Sequence, residues 1–255
     1  MGGRPLFALA IVGMPLDKLA PEVIREILAG GEAVAKAAGI PIAGGHSIDA
    51  PEPIYGLVGI GVVDPARVKK NSSGEAGDVL ILGKPLGVGI YSAALKKGAL
   101  SDAGYAAMIA ATTQLNTPGV ELAELDGVHA MTDVTGFGLL GHGLELARGS
   151  GLTTRLELAR LPLLPGVAEL AQAGHTTGAS TRNWASYGGE VELPAECADW
   201  QRAILSDPQT SGGLLVSCTA EAVATVLEIF SRHGFAQACV IGGLQAGAAK
   251  AVVSV

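Results

Sequence analysis

Charge is scarce in this chain: only 16% of its 255 residues are Asp, Glu, Lys or Arg, and only 4% are aromatic. With 49% hydrophobic residues and 37 glycines, the composition is that of a compact globular protein rather than a disordered one. Basic residues are the scarcer sign, 17 Lys and Arg against 24 Asp and Glu, for a formal net charge of −7. Binding along a phosphate backbone needs clustered Lys and Arg, so no nucleic-acid partner is expected. The nearest cluster, Arg67-Val68-Lys69-Lys70, is short and reads as a solvated turn. Cys197, Cys218 and Cys239 are odd in number, widely spaced and free of any C-x-x-C; they read as reduced structural thiols, in keeping with the cytoplasm.

Long hydrophobic runs are absent too. The run from Leu6 to Met14 falls well short of the roughly twenty residues a membrane span needs. Arg4 and this run mimic the first two parts of a signal peptide, but Gly13-Met14-Pro15-Leu16-Asp17 offers no small-residue cleavage site. Leu6 stands where N-myristoylation wants Ser or Thr. No membrane association is expected, and Leu6 to Val12 reads as a buried strand. A strand this near the start of a complete domain is unusual, which hints at an absent upstream segment.

Along the chain, Leu19 to Ala38 reads as a helix with Val23, Ile27, Val34 and Ala37 on one face, and Ile54 to Val63 as a strand. Asp64-Pro65 followed by "KKNSSGEAGD" is the best linker candidate, giving expected domains 1–65 and 66–255. Beyond it, "DVLILG", "VHAMTDV" and "GGLLVSC" read as strands, Ser101 caps a helix running to about Leu115, and Thr117 is an N-cap before Pro118. Leu139 to Ala147 and Ala220 to His233 read as helices, and residues 175 to 193 as a long loop. The mixture is α+β or α/β.

Four stretches set Gly, Ser or Thr and one ionisable residue beside an apolar strand, where backbone N–H groups can meet phosphate oxygens. "AGGHSID", Ala43 to Asp49, has paired glycines for close backbone approach, with Ser47 and His46 as donors; it reads equally as a turn with a capping Ser. "GKPLGVG", Gly83 to Gly89, is neither a P-loop nor a dinucleotide fingerprint; Lys84 either points at a phosphate or is a surface lysine. In "MTDVTGFGLLGH", Asp133 ends a strand where a carboxylate suits Mg²⁺, or caps the following helix. "DPQTSGGLL", Asp207 to Leu215, is a structural turn or a ligand loop. No Ser-His-Asp or Cys-His order and no Cys/His metal cluster is recognisable, and no covalent nucleophile is suggested.

Taken together and in order, "MGGRPLFALAIVGMP", "AGGHSIDAPEPIYGLVGIGVV", "LGKPLGVGI", "MTDVTGFGLLGH", "TRNWASYG" and "DPQTSGGLL" resemble the selenophosphate synthetases (selenide, water dikinases) over essentially the whole chain. The resemblance implies an α+β fold like that of aminoimidazole ribonucleotide synthetase, with an N-terminal sheet domain that dimerises and binds ATP, followed by a C-terminal α+β domain. It implies a homodimer converting ATP, selenide and water to selenophosphate, AMP and phosphate with Mg²⁺, supplying selenium for selenocysteine and selenouridine synthesis. By motif, Asp133 matches a magnesium ligand, and Gly45, His46 and Ser47 match a nucleotide-contacting turn.

In that family "MGGRP" is interior. The Gly-rich segment with the catalytic Cys or selenocysteine, a Lys and further magnesium-binding Asp residues precede it, so the catalytic residues are expected upstream of Met1. A deliberate truncation, or a gene start misplaced past a selenocysteine codon, would account for this, and the chain alone is expected to be inactive. The alternatives are a non-catalytic, dimerising nucleotide-binding remnant, or another ATP-dependent member of the superfamily such as a small-molecule kinase or hydrogenase-maturation factor.

Overall fold

The structure is a computed structural model describing all 255 residues. The chain forms two compact units, Gly2–Val68, and Lys69–Val255 with Met1.

In the smaller unit, β1 (Arg4–Met14) leads through α1 (Pro21–Ala37) to β2 (Ile42–Asp49) and β3 (Ile54–Val62). The sheet order is β2-β1-β3, with β1 parallel to β2 and antiparallel to β3. Successive strand side chains point to opposite faces. Ala10, Ile42 and Tyr55 line one groove with Leu28, Glu32 and Ala35 of α1, so helix and sheet meet on that side. The other face carries Leu9 and Ile11, with Val58 opposite Leu9 and Ile54 and Ile48 opposite Gly13. All five are exposed, Val58 by 60% and Ile54 by 52%.

The expected buried strand is therefore covered on one face only: Ala8 and Met14 are buried while Leu6, Leu9 and Ile11 are open. The inward stripe of α1 also differs from the expected one. Ala35 is buried and Ile24, Ile27 and Val34 are half-buried, whereas Val23 and Ala37 face water because only one side of the helix meets the sheet.

The larger unit comprises β4 (Val79–Leu82), α2 (Val88–Lys96), α3 (Asp102–Thr113), α4 (Pro118–Leu122), β5 (Val128–Asp133), α5 (Gly138–Ser150), β6 (Thr153–Glu157), α6 (Val167–Gln172), α7 (Gly178–Tyr187), β7 (Val191–Glu192), α8 (Asp199–Leu205), β8 (Leu214–Cys218), α9 (Val223–Arg232), β9 (Cys239–Gln245) and β10 (Lys250–Ser254). Its sheet order is β5-β8-β4-β9-β6-β10-β7; the pairs from β5 to β6 are antiparallel and those from β6 to β7 parallel. Strands buried on both faces need apolar residues throughout, which is why β4 is simply Val-Leu-Ile-Leu. Leu80 and Leu82 pack into one core with Leu140 and Leu144 of α5, and Ile81 packs into a second with Val226, Ile229 and Phe230 of α9.

One sequence expectation fails here. Residues 175 to 193 are not a long loop: they contain α7, whose start is fixed by the Thr177 hydroxyl accepting from Ser180 N at 3.0 Å. Packing of Ser180 and Tyr187 into the unit outweighs a weak helical pattern. The two units divide between Val68 and Lys69, where the "KKNSSGEAGD" stretch begins; later in that stretch Gly74 N donates to Ser150 Oγ at 3.0 Å and Glu75 N to Asp78 Oδ2 at 3.0 Å. Thr117 does precede α4, but its hydroxyl pairs with His233 Nδ1 at 3.0 Å instead of capping the helix.

Candidate functional site

Asp133 ends β5 opposite Leu214, half-buried, and Val134 N extends the ladder by donating to Gly213 O at 2.9 Å. The chain then leaves the sheet through Thr135, Gly136 and Phe137 before α5, and each of the three is held. Thr135 O accepts Gln209 N at 2.9 Å, and Thr135 Oγ1 lies 3.2 Å from His142 Nε2. Asn183 Nδ2 donates to Gly136 O at 2.8 Å and to Ser206 O at 3.1 Å, and the Tyr187 hydroxyl donates to Phe137 O at 2.7 Å. Asp133 thus stands at the strand end just before a fixed loop, in which Phe137 is half-exposed. His142 is buried with only its Nε2 partnered; its Nδ1 lies 3.2 Å from Glu145 Oε2 without hydrogen-bond geometry.

The stretch from Asp207 to Gly213 is structural. Asp207 Oδ2 accepts from Gly89 N at 3.0 Å and Ile90 N at 3.3 Å, and Gln209 Oε1 accepts from Gly87 N at 3.1 Å and Val88 N at 3.3 Å. Together they satisfy the otherwise unpaired first amides of α2. Asp207 is fully buried and its Oδ1 has no partner; burial pushes its pKa up to about 7 against the three hydrogen bonds that favour the carboxylate. The paired glycines admit backbone from the same chain rather than a ligand: a Cβ on Gly212 would lie 1.8 Å from Val134 O.

Lys84 is neither a phosphate hook nor a surface lysine. It is 2% exposed, and its ammonium donates to Ala111 O at 3.0 Å, Gln114 O at 2.7 Å and Ser211 O at 2.6 Å. Its three protons are spent on carbonyls, and burial lowers its pKa to about 8.

Gly45, His46 and Ser47 belong to the smaller unit and Asp133 to the larger. The first three are strand, not turn. Ile11 pairs with His46 and Val12 with Ser47, so the two side chains project from opposite faces, both exposed. Gly45 is required by its neighbour, because a Cβ there would lie 1.9 Å from Ala10 O. No three His, Cys, Asp or Glu side chains in the chain gather into a metal-binding group, so Asp133 is not part of such a cluster. Sequence reading missed Asn183 and Tyr187; their spacing of four within "TRNWASYG" was the available signal, visible only once that stretch is known to be helical.

The sequence matches the AIR synthase related protein N-terminal domain over residues 1–63 and the corresponding C-terminal domain over residues 75–254. It is 66% identical over 253 residues to the selenide, water dikinase of Pseudomonas straminea, covering 99% of this chain and 71% of that protein. The chain belongs to the selenide, water dikinase family.

A second dikinase of the family, from Paraburkholderia xenovorans, is 65% identical over 253 residues, 99% of this chain and 72% of that protein. The α+β fold is the AIR synthase-like one. It is shared with the hydrogenase maturation protein HypE solved in complex with ATP (17% identity, TM-score 0.76, 99% of this chain and 70% of that chain). Thiamine-monophosphate kinase from Stenotrophomonas maltophilia K279a has it as well (19% identity, TM-score 0.73, 100% of this chain and 73% of that chain). No helix of the chain is long and apolar enough to cross a membrane.

Proposed function

We propose that this dikinase-family chain acts in the ATP-dependent conversion of selenide and water to selenophosphate, AMP and phosphate, in the cytoplasm, supplying selenium for selenocysteine and selenouridine synthesis. The observation that carries the reading is Asp133: a half-buried carboxylate at a strand end, before a loop whose Thr135, Gly136 and Phe137 carbonyls are engaged, in a chain 66% identical to a named dikinase.

Mg²⁺ is bound through one or two carboxylates plus substrate phosphates rather than by an all-protein cage. A single half-buried Asp fits that role as one ligand, and Asp133 would hold the ion together with the triphosphate. When bound, Mg²⁺ supplies neutralisation of the phosphate charge that builds during transfer. Gly45, His46 and Ser47 act as the nucleotide-contacting residues; their exposure supports this, and His46 shares its face with the open apolar residues Leu9 and Ile11.

Residues 1–65 serve as the dimerising, ATP-binding part and 66–255 as the C-terminal domain. The uncovered face of Leu9, Ile11, Ile48, Ile54 and Val58 supports a homodimer, because a contiguous apolar face of this kind marks an interaction site.

On this reading Asp133 contributes one ligand rather than a complete metal cage, and the chain binds ATP without completing the reaction by itself. Phosphorus NMR under anaerobic conditions with ATP, Mg²⁺ and selenide tests this. The chain alone should leave ATP unconverted, while a chimera adding the portion of the P. straminea enzyme outside the matched region should yield selenophosphate and AMP. Full turnover by the chain alone, or none by the chimera, would contradict the proposal.

A further inference from the structure

The stretch "TRNWASYG" is given no role of its own in the reading above, yet its side chains reach the loop that follows Asp133. Asn183 and Tyr187 lie one turn apart on α7 and so share a helix face. They bond two consecutive carbonyls, Gly136 O at 2.8 Å and Phe137 O at 2.7 Å, in the segment that follows Asp133. We propose that Asn183 and Tyr187 are positioning residues, a two-point clamp by which α7 fixes the Asp133 loop and with it the direction of the carboxylate.

Three features support the clamp. The Asn183 amide faces two carbonyls, Gly136 O and Ser206 O at 3.1 Å; only the NH₂ end can satisfy both, so its orientation is determined by chemistry. Tyr187 is 7% exposed, and burial raises its pKa, so its hydroxyl remains a donor throughout the physiological range. Of the loop's other anchors, Gln209 N to Thr135 O and Val134 N to Gly213 O come from the segment Asp207–Gly213, itself fixed through Asp207 and Gln209 to α2, and Thr135 Oγ1 meets His142 Nε2 of α5 at 3.2 Å. Side-chain hydrogen bonds to the Gly136 and Phe137 carbonyls come from α7. Gly136 is exposed, and a Cβ there would meet nothing within 4 Å, so packing alone does not hold it.

The inference rests on the role proposed for Asp133, and its test separates the two. Hydrogen exchange of residues 134–138 is measured in the 255-residue chain and in Asn183→Ala, Asn183→Asp and Tyr187→Phe. The clamp requires exchange of this segment to rise on the order of tenfold in the first two and several-fold in the third, with β8 unchanged. Asn183→Asp is decisive: it keeps the volume but turns an acceptor toward two carbonyls, so a residue that merely fills space would tolerate it. Wild-type exchange in Asn183→Asp, or acceleration spread evenly over the larger unit, would overturn the clamp.

Calorimetric titration with Mg²⁺ and ATP supplies the second readout. Asn183→Ala and Tyr187→Phe should weaken metal-dependent binding several-fold while leaving the melting temperature of Tyr187→Phe within a few degrees of wild type. If Asp133→Asn leaves that binding unchanged, the role of Asp133 falls and the exchange data still decide the clamp.

Discussion

The Lys84 ammonium donates to the carbonyl of Ser211 at 2.6 Å, across 127 positions of sequence. With Ala111 and Gln114 as its other acceptors, one buried lysine ties the end of β4 to the end of α3 and to the loop that caps α2. Lys84→Met removes the donors and strands three carbonyls, so a loss of about 2–4 kcal/mol is expected in urea denaturation. A change below about 0.5 kcal/mol, the range of an ordinary surface substitution, would show that these bonds do not hold the fold together.

Asp207 predicts a pH dependence. Its folded pKa, about 7, lies above the ordinary carboxyl value. A group raised in this way contributes stability below its unfolded pKa, near 4, and loses it as pH rises through the folded value. Asp207→Asn keeps an oxygen for the amides of Gly89 and Ile90 but cannot ionise. The melting temperature of the variant relative to wild type should therefore climb between pH 4 and pH 8; parallel profiles would refute the assignment.

Gly45 predicts a local defect. A methyl group there would overlap Ala10 O, and the residue's φ of 150° disfavours any side chain. Gly45→Ala should cost at least about 2 kcal/mol and raise hydrogen exchange within residues 4–62 while β4 and β8 keep their protection. Uniform exchange changes in both units would mean that the contact is not local.

The open face of the small sheet predicts association. Val58→Asp puts a charge where Val58 is 60% exposed beside Leu9. Sedimentation equilibrium should show dimer for the wild-type chain and monomer for the variant. A monomeric wild type would remove the second copy from the account.

Much of the fold was legible because burial on both faces writes itself as apolar runs: Val79–Leu82 and Leu214–Cys218 could hardly be anything but central strands. What misled was geometry that depends on distant partners. Ala43 to Asp49 looked like a turn because its glycines suggest one, yet Gly45 serves close strand pairing with Ala10. Helix α7 was hidden because its residues are polar and its contacts, Asn183 to Gly136 and Tyr187 to Phe137, span about fifty positions. The roles of Lys84 and of the Asp207 stretch stayed open for the same reason: a charged side chain in a Gly-rich stretch reads alike whether it meets a phosphate or the chain's own backbone. Asp133 stayed legible as a candidate because a carboxylate at a strand end before a Gly-rich loop is a local pattern.

The central claim is that Asp133 is where this chain meets magnesium and ATP. Calorimetric titration of ATP into the wild-type chain and Asp133→Asn, each with and without Mg²⁺, tests it most directly. The account predicts metal-dependent binding by the wild type that weakens at least tenfold in Asp133→Asn, about 1.4 kcal/mol, with the metal-independent part unchanged. Equal metal-dependent affinity in the two proteins would contradict it.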